Sequence, residues 1–413
     1  MTDFSQTRAA FDLPEGVIYL DGNSLGPLPR SAAERVARMM TQEWGRLLIR
    51  GWNEAGWYVQ PRRVGDRIAP LIGAEPGSVV MGDTLSVKVF QALSAAVEMR
   101  PERRVILSDS GNFPSDLYVA QELVAALDRG ADRGVDRGVD REPDLGLELR
   151  IVAPEEVEAA IDDSIAVTLL TEVDYRTGRL HDMAALTARA HAAGALTIWD
   201  LAHSAGALPV RLAEAGADFA VGCTYKYLNG GPGAPAFIYV DPRHADAARP
   251  ALAGWMGHAA PFAFDPHWTP ASGIERMRVG TPPVLALTAL EAALDIWEGV
   301  SLDALRQESI RLSEAFIAAV AARLPGLPLA SPREPERRGS QVSFRHPDAY
   351  AIVQALIARG VIGDFRAPDI MRFGFTPLYL TLVETEKAAD LLADVVLTEA
   401  WNQPEYRIRA QVT

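Results

Sequence analysis

Two side chains in this sequence have types that could do covalent chemistry together. Lys226 sits in CTYKYLNGGPG, between Tyr225 and Tyr227 and just past an aliphatic run. Asp200 closes the earlier run ALTIWD. The chain has only three lysines, Lys88, Lys226 and Lys387. Arginine can replace lysine in most ion pairs, but its guanidinium stays protonated and cannot form a Schiff base. Lys387, in VETEKAAD, reads as an exposed helix position. A lysine amine can hold an aldehyde, and a carboxylate can keep a pyridine nitrogen protonated so that the ring withdraws electrons. Pyridoxal phosphate needs that pair of groups. Taken singly, Asp200 could cap a helix and Lys226 could pair with a surface carboxylate. Together, in a chain so poor in lysine, they point to pyridoxal chemistry on an amino acid. The GGPG turn adds little, since glycine-rich turns are common. It is not the GxGxxG fingerprint, which counts against a nicotinamide dehydrogenase.

The elements that must position this pair can be read from periodicity. RRVILSD (103–109), LELRIVA (147–153), SIAVTLLTEV (164–173), ALTIWDLA (195–202), DFAVGCT (218–224) and APAFIYV (234–240) read as buried strands. Ala-rich helical stretches such as ALTARAHAAGA and VRLAEAGA lie between them. Strand and helix in alternation predict an α/β fold with a mainly parallel, doubly wound sheet. Ligands bind such sheets at the carboxyl ends of the strands, where Asp200 and Lys226 both fall. Residues 31–50 read as one helix, and 62–73 as a second. From about 285 the pattern changes to long helices, with strands at QVSFRH and DIMRFGFT. The expected division is an N-terminal segment (1–50) contributing to the small domain and active site, a large cofactor-binding domain (51–285) and a smaller α/β C-terminal domain (286–413). The Asp/Arg/Gly-rich run 128–142 reads as a solvated loop.

Composition narrows the partners. The 413 residues carry a formal charge of −14, and 48% are hydrophobic. An acidic surface argues against nucleic acid, and no run of about 20 apolar residues suggests a membrane span. The single cysteine, Cys223, excludes an internal disulfide and Cys-rich metal motifs, so no metal is expected. The N-terminus shows no signal-peptide pattern, and the default compartment is the cytoplasm.

The series YLDGNSLGPLPR, GNFPSDLY, EVDYRTGRLHDM, WDLAHSAG, CTYKYLNGGPGAPAF, GWMGH and RVGTPPVL resembles the motif series of kynureninase, in the same order and over nearly the whole chain. That family belongs to the fold type I pyridoxal-phosphate enzymes, related to class V aminotransferases. The resemblance implies that Lys226 forms the Schiff base, that Asp200 pairs with the pyridine nitrogen and that His203 lies near the cofactor. It implies that Phe113 stacks on the ring with Asp116 in the same shell, and that Thr171 lies beside it. Tyr225 would contact the phosphate and serve as an acid. Leu85 and Ser86 would offer phosphate contacts. Trp255 and Thr281 would reach the phosphate from the partner subunit of a homodimer.

The implied reaction is hydrolysis of L-kynurenine, and of 3-hydroxy-L-kynurenine as a further substrate, to the anthranilate and L-alanine. Its place would be tryptophan degradation and pyridine nucleotide biosynthesis. Arg372, in DIMRFGFTPLY, is expected to grip the substrate carboxylate. Asn23, in the DGNSLG turn, could approach the substrate. Trp57, with Trp52 and Tyr58, could wall an aromatic pocket or serve equally as core. The sequence departs from the resemblance at Thr281, where some members have Asn, and at Lys88, where Asn is expected. Lys88, just after the phosphate turn, reads as an outward-facing helix position, with an added electrostatic contact to the phosphate as the alternative. A cysteine desulfurase or other class V enzyme is the alternative. It fits poorly, because Cys223 falls inside a predicted strand rather than on a mobile loop.

Overall fold

A computed structural model of the chain describes residues 2–132 and 146–410. A seven-stranded sheet is formed by β1 (Val79–Met81), β2 (Val105–Asp109), β3 (Glu148–Val152), β4 (Ile165–Thr171), β5 (Leu196–Asp200), β6 (Phe219–Gly222) and β7 (Phe237–Val240). Their order across the sheet is β1-β7-β6-β5-β4-β2-β3. The pairs β2–β3, β2–β4, β4–β5 and β5–β6 are parallel, and β7 runs antiparallel to both its neighbours. The fold is therefore α/β with a mainly parallel sheet, as the alternation predicts. The reversal at β7 has a local cause. The connection from β6 contains Gly230, Gly231, Pro232, Gly233 and Pro235 and holds no helix, so it lacks the usual crossover of a parallel pair. The β1 strand, VVM, was too short to stand out in the sequence.

Helices cover both faces, which is why β4 and β5 are buried along their whole lengths. On one face lie α3 (Leu85–Glu98) and α4 (Pro114–Asp132), closing a core with Val89, Leu93, Ile106, Leu169, Ile198 and Val221. The other face meets α2 (Gln60–Ile68), α5 (Met183–Ala192) and α6 (Val284–Leu294). That second core runs on through Phe316, Phe344 and Phe373 into the C-terminal elements. These are α7 (Leu302–Arg323), α8 (Ala349–Ile357), α9 (Leu382–Leu397) and a three-stranded antiparallel sheet of β8 (Gln341–Arg345), β9 (Asp364–Arg366) and β10 (Ile370–Gly374), with β10 central. Local chemistry sets several helix starts. Asp182 caps α5, Ser301 caps α7, and Thr381 with Glu384 forms a capping box on α9.

The N-terminal residues are laced onto this frame. Ile18 and Tyr19 pair in parallel with Val361 and Ile362. The Gly374 N–H donates to Leu20 O, and the Gly26 N–H donates to Tyr225 O at 2.7 Å. One expectation fails here. Residues 31–50 do not form one regular helix: α1 (Arg30–Arg38) gives way to a wider π turn at Met39–Trp44 and then to short, broken turns. The apolar periodicity was real, but Met40, Trp44, Leu48 and Ile49 stand exposed, with no core of this chain to pack on. The run 128–142 begins as helix rather than loop, since α4 continues through Asp132. Its remainder lies outside the described residues. Among the described residues, no helix is long and apolar enough to cross a membrane.

Close packing of α2 on β1 yields a prediction. A Cβ on Gly65 would lie 2.4 Å from the backbone oxygen of Val79. Gly65→Ala should therefore cost about 2 kcal/mol through forced displacement, read as a lower urea midpoint. Gly326→Ala, whose Cβ meets nothing, should leave the midpoint unchanged.

Candidate active site

The carboxyl ends of the parallel strands converge on a cavity of about 240 Å³. Each strand delivers part of the wall. Asp83, Thr84, Leu85 and Ser86 follow β1, Phe113 and Ser115 follow β2, Thr171 and Tyr175 come from β4 and beyond, and Asp200, Ala202 and His203 follow β5. Cys223, Tyr225 and Lys226 follow β6. Thus Leu85, Ser86, Phe113, Thr171, Asp200, His203, Tyr225 and Lys226 are brought together as expected from sequence.

Lys226 Nζ lies 3.0 Å from His203 Nε2 and 5.9 and 5.8 Å from the ring centres of Phe113 and Tyr225. Phe113 is 42% exposed despite its size, because its ring faces the cavity rather than the core. Asp200 is buried, and one carboxylate oxygen accepts the Ala202 N–H at 2.8 Å. Burial pushes its pKa up to about 6, although the Lys226 charge pulls the other way. Asp116 lies behind Asp200, fully buried, with neither carboxylate oxygen bonded to a protein donor. Burial and the charge of Asp200 push Asp116 well above the ordinary carboxylate range. The two acids titrate as a pair, and Asp116 holds the proton. Burial, together with the charges of Lys226, Arg372 and Arg366, holds His203 well below its usual pKa. Its imidazole is therefore neutral. The phenol of Tyr225 is pushed up by Cys223 and by burial, so it keeps its proton.

These groups suit pyridoxal phosphate. An amine, a buried carboxylate and a bare aromatic face share one cavity. The N-terminus of α3 opens beside them, and no side chain caps it. Its first-turn N–H groups and the Ser86 hydroxyl are donors suited to a phosphate.

Other expected residues fall elsewhere. Arg372 is 1% exposed, and Asp364 already engages its fork. Arg372 Nε donates to Asp364 Oδ1 at 2.8 Å, and its Nη2 donates to Asp364 Oδ2 and, at 2.8 Å, to Ser24 Oγ. Its Nη1 donates to the Tyr175 carbonyl. Tyr175 lines the cavity and meets Phe113 edge-on at 5.1 Å, so Arg372 sits one residue behind the wall. Asn23 is fully buried with no protein partner for either side-chain atom, close against Gly374 on the strand of Arg372. Trp57 does not line the cavity. It packs edge-on to Trp52 and covers Gly51, and its N–H donates to Glu43. Trp255 and Thr281 are exposed and lie outside the cavity lining.

Lys88 reverses its expectation. It is completely buried, with Nζ donating to Gln91 Oε1 and Met277 O, each at 2.9 Å. Sequence reasoning also passed over Tyr175, Ser115, Asp83, Ser24 and Asp364. Tyr175 stood inside the quoted EVDYRTG run, so a signal existed; Asp364 carried none.

The fold and site together define a fold type I enzyme framework built for pyridoxal phosphate. The chain resembles kynureninases from Burkholderia pseudomallei (50% identity over 98% of this chain and 95% of the relative) and from Pseudomonas fluorescens (49%, with the same coverage). Residues 305–392 match the kynureninase C-terminal domain model. In architecture it is similar to the apo cysteine desulfurase of Thermococcus onnurineus NA1 (TM-score 0.78, 19% identity, 96% of this chain and 99% of that one). It is also similar to a C-DES variant with glycine covalently linked to its PLP cofactor (TM-score 0.74, 17% identity, 95% and 100%). The chain belongs to the kynureninase family.

Glu172, next to Thr171, yields a pH prediction. It is 5% exposed, and burial pushes its pKa up to about 7. The folded state then holds a proton that the unfolded chain releases near pH 4.5. Stability contributed at low pH is lost as pH rises from about 4.5 to 7, by about 3 kcal/mol. Glu172→Gln should flatten this loss, so its unfolding midpoint should exceed the parent's at pH 8 and match it at pH 4.5.

Proposed function

We propose that this enzyme uses pyridoxal phosphate to hydrolyse L-kynurenine between Cβ and Cγ, releasing anthranilate and L-alanine. The observation that carries this reading is the Lys226 amine and the Asp200 carboxylate facing one cavity beside the bare ring of Phe113. Membership of the kynureninase family supports the substrate. When bound, the cofactor supplies an electron sink for charge that builds on the amino-acid carbons.

The chain's own residues have these roles in the proposal. Lys226 would hold the cofactor, and its Nζ would take the substrate Cα proton. Asp200 holds the ring nitrogen protonated, with the proton on Asp116 preventing two buried anions from facing each other. Phe113 covers the ring, and Thr171 and neutral His203 flank it. Leu85, Ser86 and Tyr225 contact the phosphate. Tyr225, which keeps its phenol proton, returns one to Cβ of the alanine fragment after water has added at the γ-carbonyl. Arg372, which lies behind Tyr175 with its fork on Asp364, would bind the substrate carboxylate by exchanging that pairing for the ligand, with Asn23 beside it. Trp57 is proposed only to support the segment 51–58 from behind. Cys223 is buried with Sγ 3.9 Å from Ala202 O, and burial raises its pKa. That is unsuited to the nucleophile of a desulfurase.

We also propose a cytoplasmic homodimer acting in tryptophan degradation, with Trp255 and Thr281 reaching the partner's phosphate site. The exposed Trp44, Leu48, Ile49, Trp255, Phe262 and Phe264 support an apolar contact between copies. The single cysteine suits a reducing compartment. The division into 1–50, 51–285 and 286–413 stays as a proposal, supported by the separate seven- and three-stranded sheets.

Two experiments test the reading. Purified protein loaded with pyridoxal phosphate and given kynurenine or 3-hydroxykynurenine should release anthranilate or 3-hydroxyanthranilate with alanine in equal amounts. Release of neither would contradict the substrate assignment. Arg372→Lys should raise KM for kynurenine by about tenfold or more through loss of the planar fork, while the absorption band of bound cofactor persists. An unchanged KM would remove Arg372 from substrate binding.

A further inference from the structure

Lys88 is the one charged residue of α3's first two turns, and it is wholly buried. An ammonium group in such a place is unfavourable unless something offsets its desolvation. Two neutral acceptors, Gln91 Oε1 and Met277 O, each sit at 2.9 Å. The anionic neighbour is Asp83, whose Oδ2 lies 3.5 Å from Nζ. Burial wins in part, lowering the Lys88 pKa to about 8, with Asp83 opposing the fall and Arg278 adding to it. Arg278 itself is engaged by Glu275 at 2.9 Å.

Asp83 is the reason this matters. It lies in the turn that opens α3, with φ +59°, and it lines the same cavity as Leu85 and Ser86. The turn is pinned to β7, since the Gly82 N–H donates to Ala236 O and the Ala236 N–H donates to Asp83 O, each at 3.0 Å. The backbone of Asp83 is therefore held at the cavity rim, and its side chain stays within reach of both the cavity and Lys88. A carboxylate in the wall of a phosphate site repels the ligand it borders. Lys88 stands behind that carboxylate, on the side away from solvent.

Lys88 is also a mechanical junction. Its bond to Met277 O reaches the segment that leads to Thr281. Its partner Gln91 donates from Nε2 to Leu252 O at 3.1 Å, on the segment leading to Trp255. Those two segments are themselves bonded, Met256 N–H to Val279 O at 3.2 Å.

We infer that Lys88 is a positioning residue: it neutralises Asp83 beneath the phosphate turn and ties that turn to the segments carrying Trp255 and Thr281. This rests on the pyridoxal-phosphate reading of the cavity. It adds a counter-charge that does not itself touch the ligand.

The test is a double-mutant cycle on the full-length protein, read as cofactor affinity by absorbance titration of the cofactor-free form. Lys88→Met should weaken pyridoxal phosphate binding by about tenfold, since it leaves the partly exposed carboxylate of Asp83 uncompensated beside the phosphate. Asp83→Asn should hold or modestly strengthen binding, and Asp83→Asn added to Lys88→Met should restore it to near the parent value. Unphosphorylated pyridoxal should show none of these changes. Equal weakening of both ligands, or no rescue in the double variant, would mean that Lys88 acts only in packing and would overturn the inference. Should Lys88→Met fail to fold, Asp83→Asn alone decides: a tenfold loss of affinity would make Asp83 a ligand and overturn it. Failure of the parent protein to bind pyridoxal phosphate would instead sink the cofactor reading, a separate result.

Discussion

Holding a carboxylate and an amine together out of water is the constraint on which this structure turns. Asp200 is almost wholly buried, at the end of a strand buried on both faces and at the floor of the cavity. A lone ionised carboxylate there would be strongly disfavoured. Three features reduce the penalty: the N–H of Ala202, the charge of Lys226, and a neighbouring Asp116 that keeps its proton. The same burial that raises Asp200 keeps His203 neutral at 3.0 Å from the lysine. The groups can share so small a volume because only some of them are charged.

The parallel sheet supplies the convergence. Five of its strands end at the same rim, so residues distant in sequence meet without long loops. The antiparallel β7 closes one side and anchors the turn that opens α3. The C-terminal sheet adds a second polar centre, where Arg366 and Arg372 share Asp364. Burial pushes Asp21 up to about 7 in that cluster, with the charge of Asp364 adding to the rise. The N-terminal loop links the two centres, through Ser24 on Arg372 and Gly26 against the lysine turn. A Cβ on Gly26 would lie 2.5 Å from Lys226 O, so glycine is required there by contact.

Much of this was legible in the sequence. Continuous aliphatic runs marked β2, β4, β5 and β6 because buried parallel strands are apolar on both faces; the run at β3, also expected to be buried, is a half-exposed edge strand because nothing pairs beyond it in the sheet. Asp200 and Lys226 could be placed in one crevice because strand ends in such a sheet share a side. The failures also have physical causes. The direction of β7 depends on a connection without a helix. Trp57 carries an aromatic side chain that suits a pocket wall or packing against Gly51, and only the fold separates the two. Lys88 reads as solvated because charge on a helix usually is; two of its three partners, Met277 and Asp83, come from outside its helix. The partner of Arg372 was hidden because the Asp364–Arg372 pairing depends on the register between β9 and β10.

The central claim is that Lys226, alone among the three lysines, is the covalent anchor of the cofactor. The direct measurement is to load the protein with pyridoxal phosphate, reduce it with borohydride, digest it and map the modified peptide by mass spectrometry. The phosphopyridoxyl mass should appear on Lys226 at one equivalent per chain, with Lys88 and Lys387 unmodified. A label on either of those lysines instead, or no stable label at all, would contradict the account.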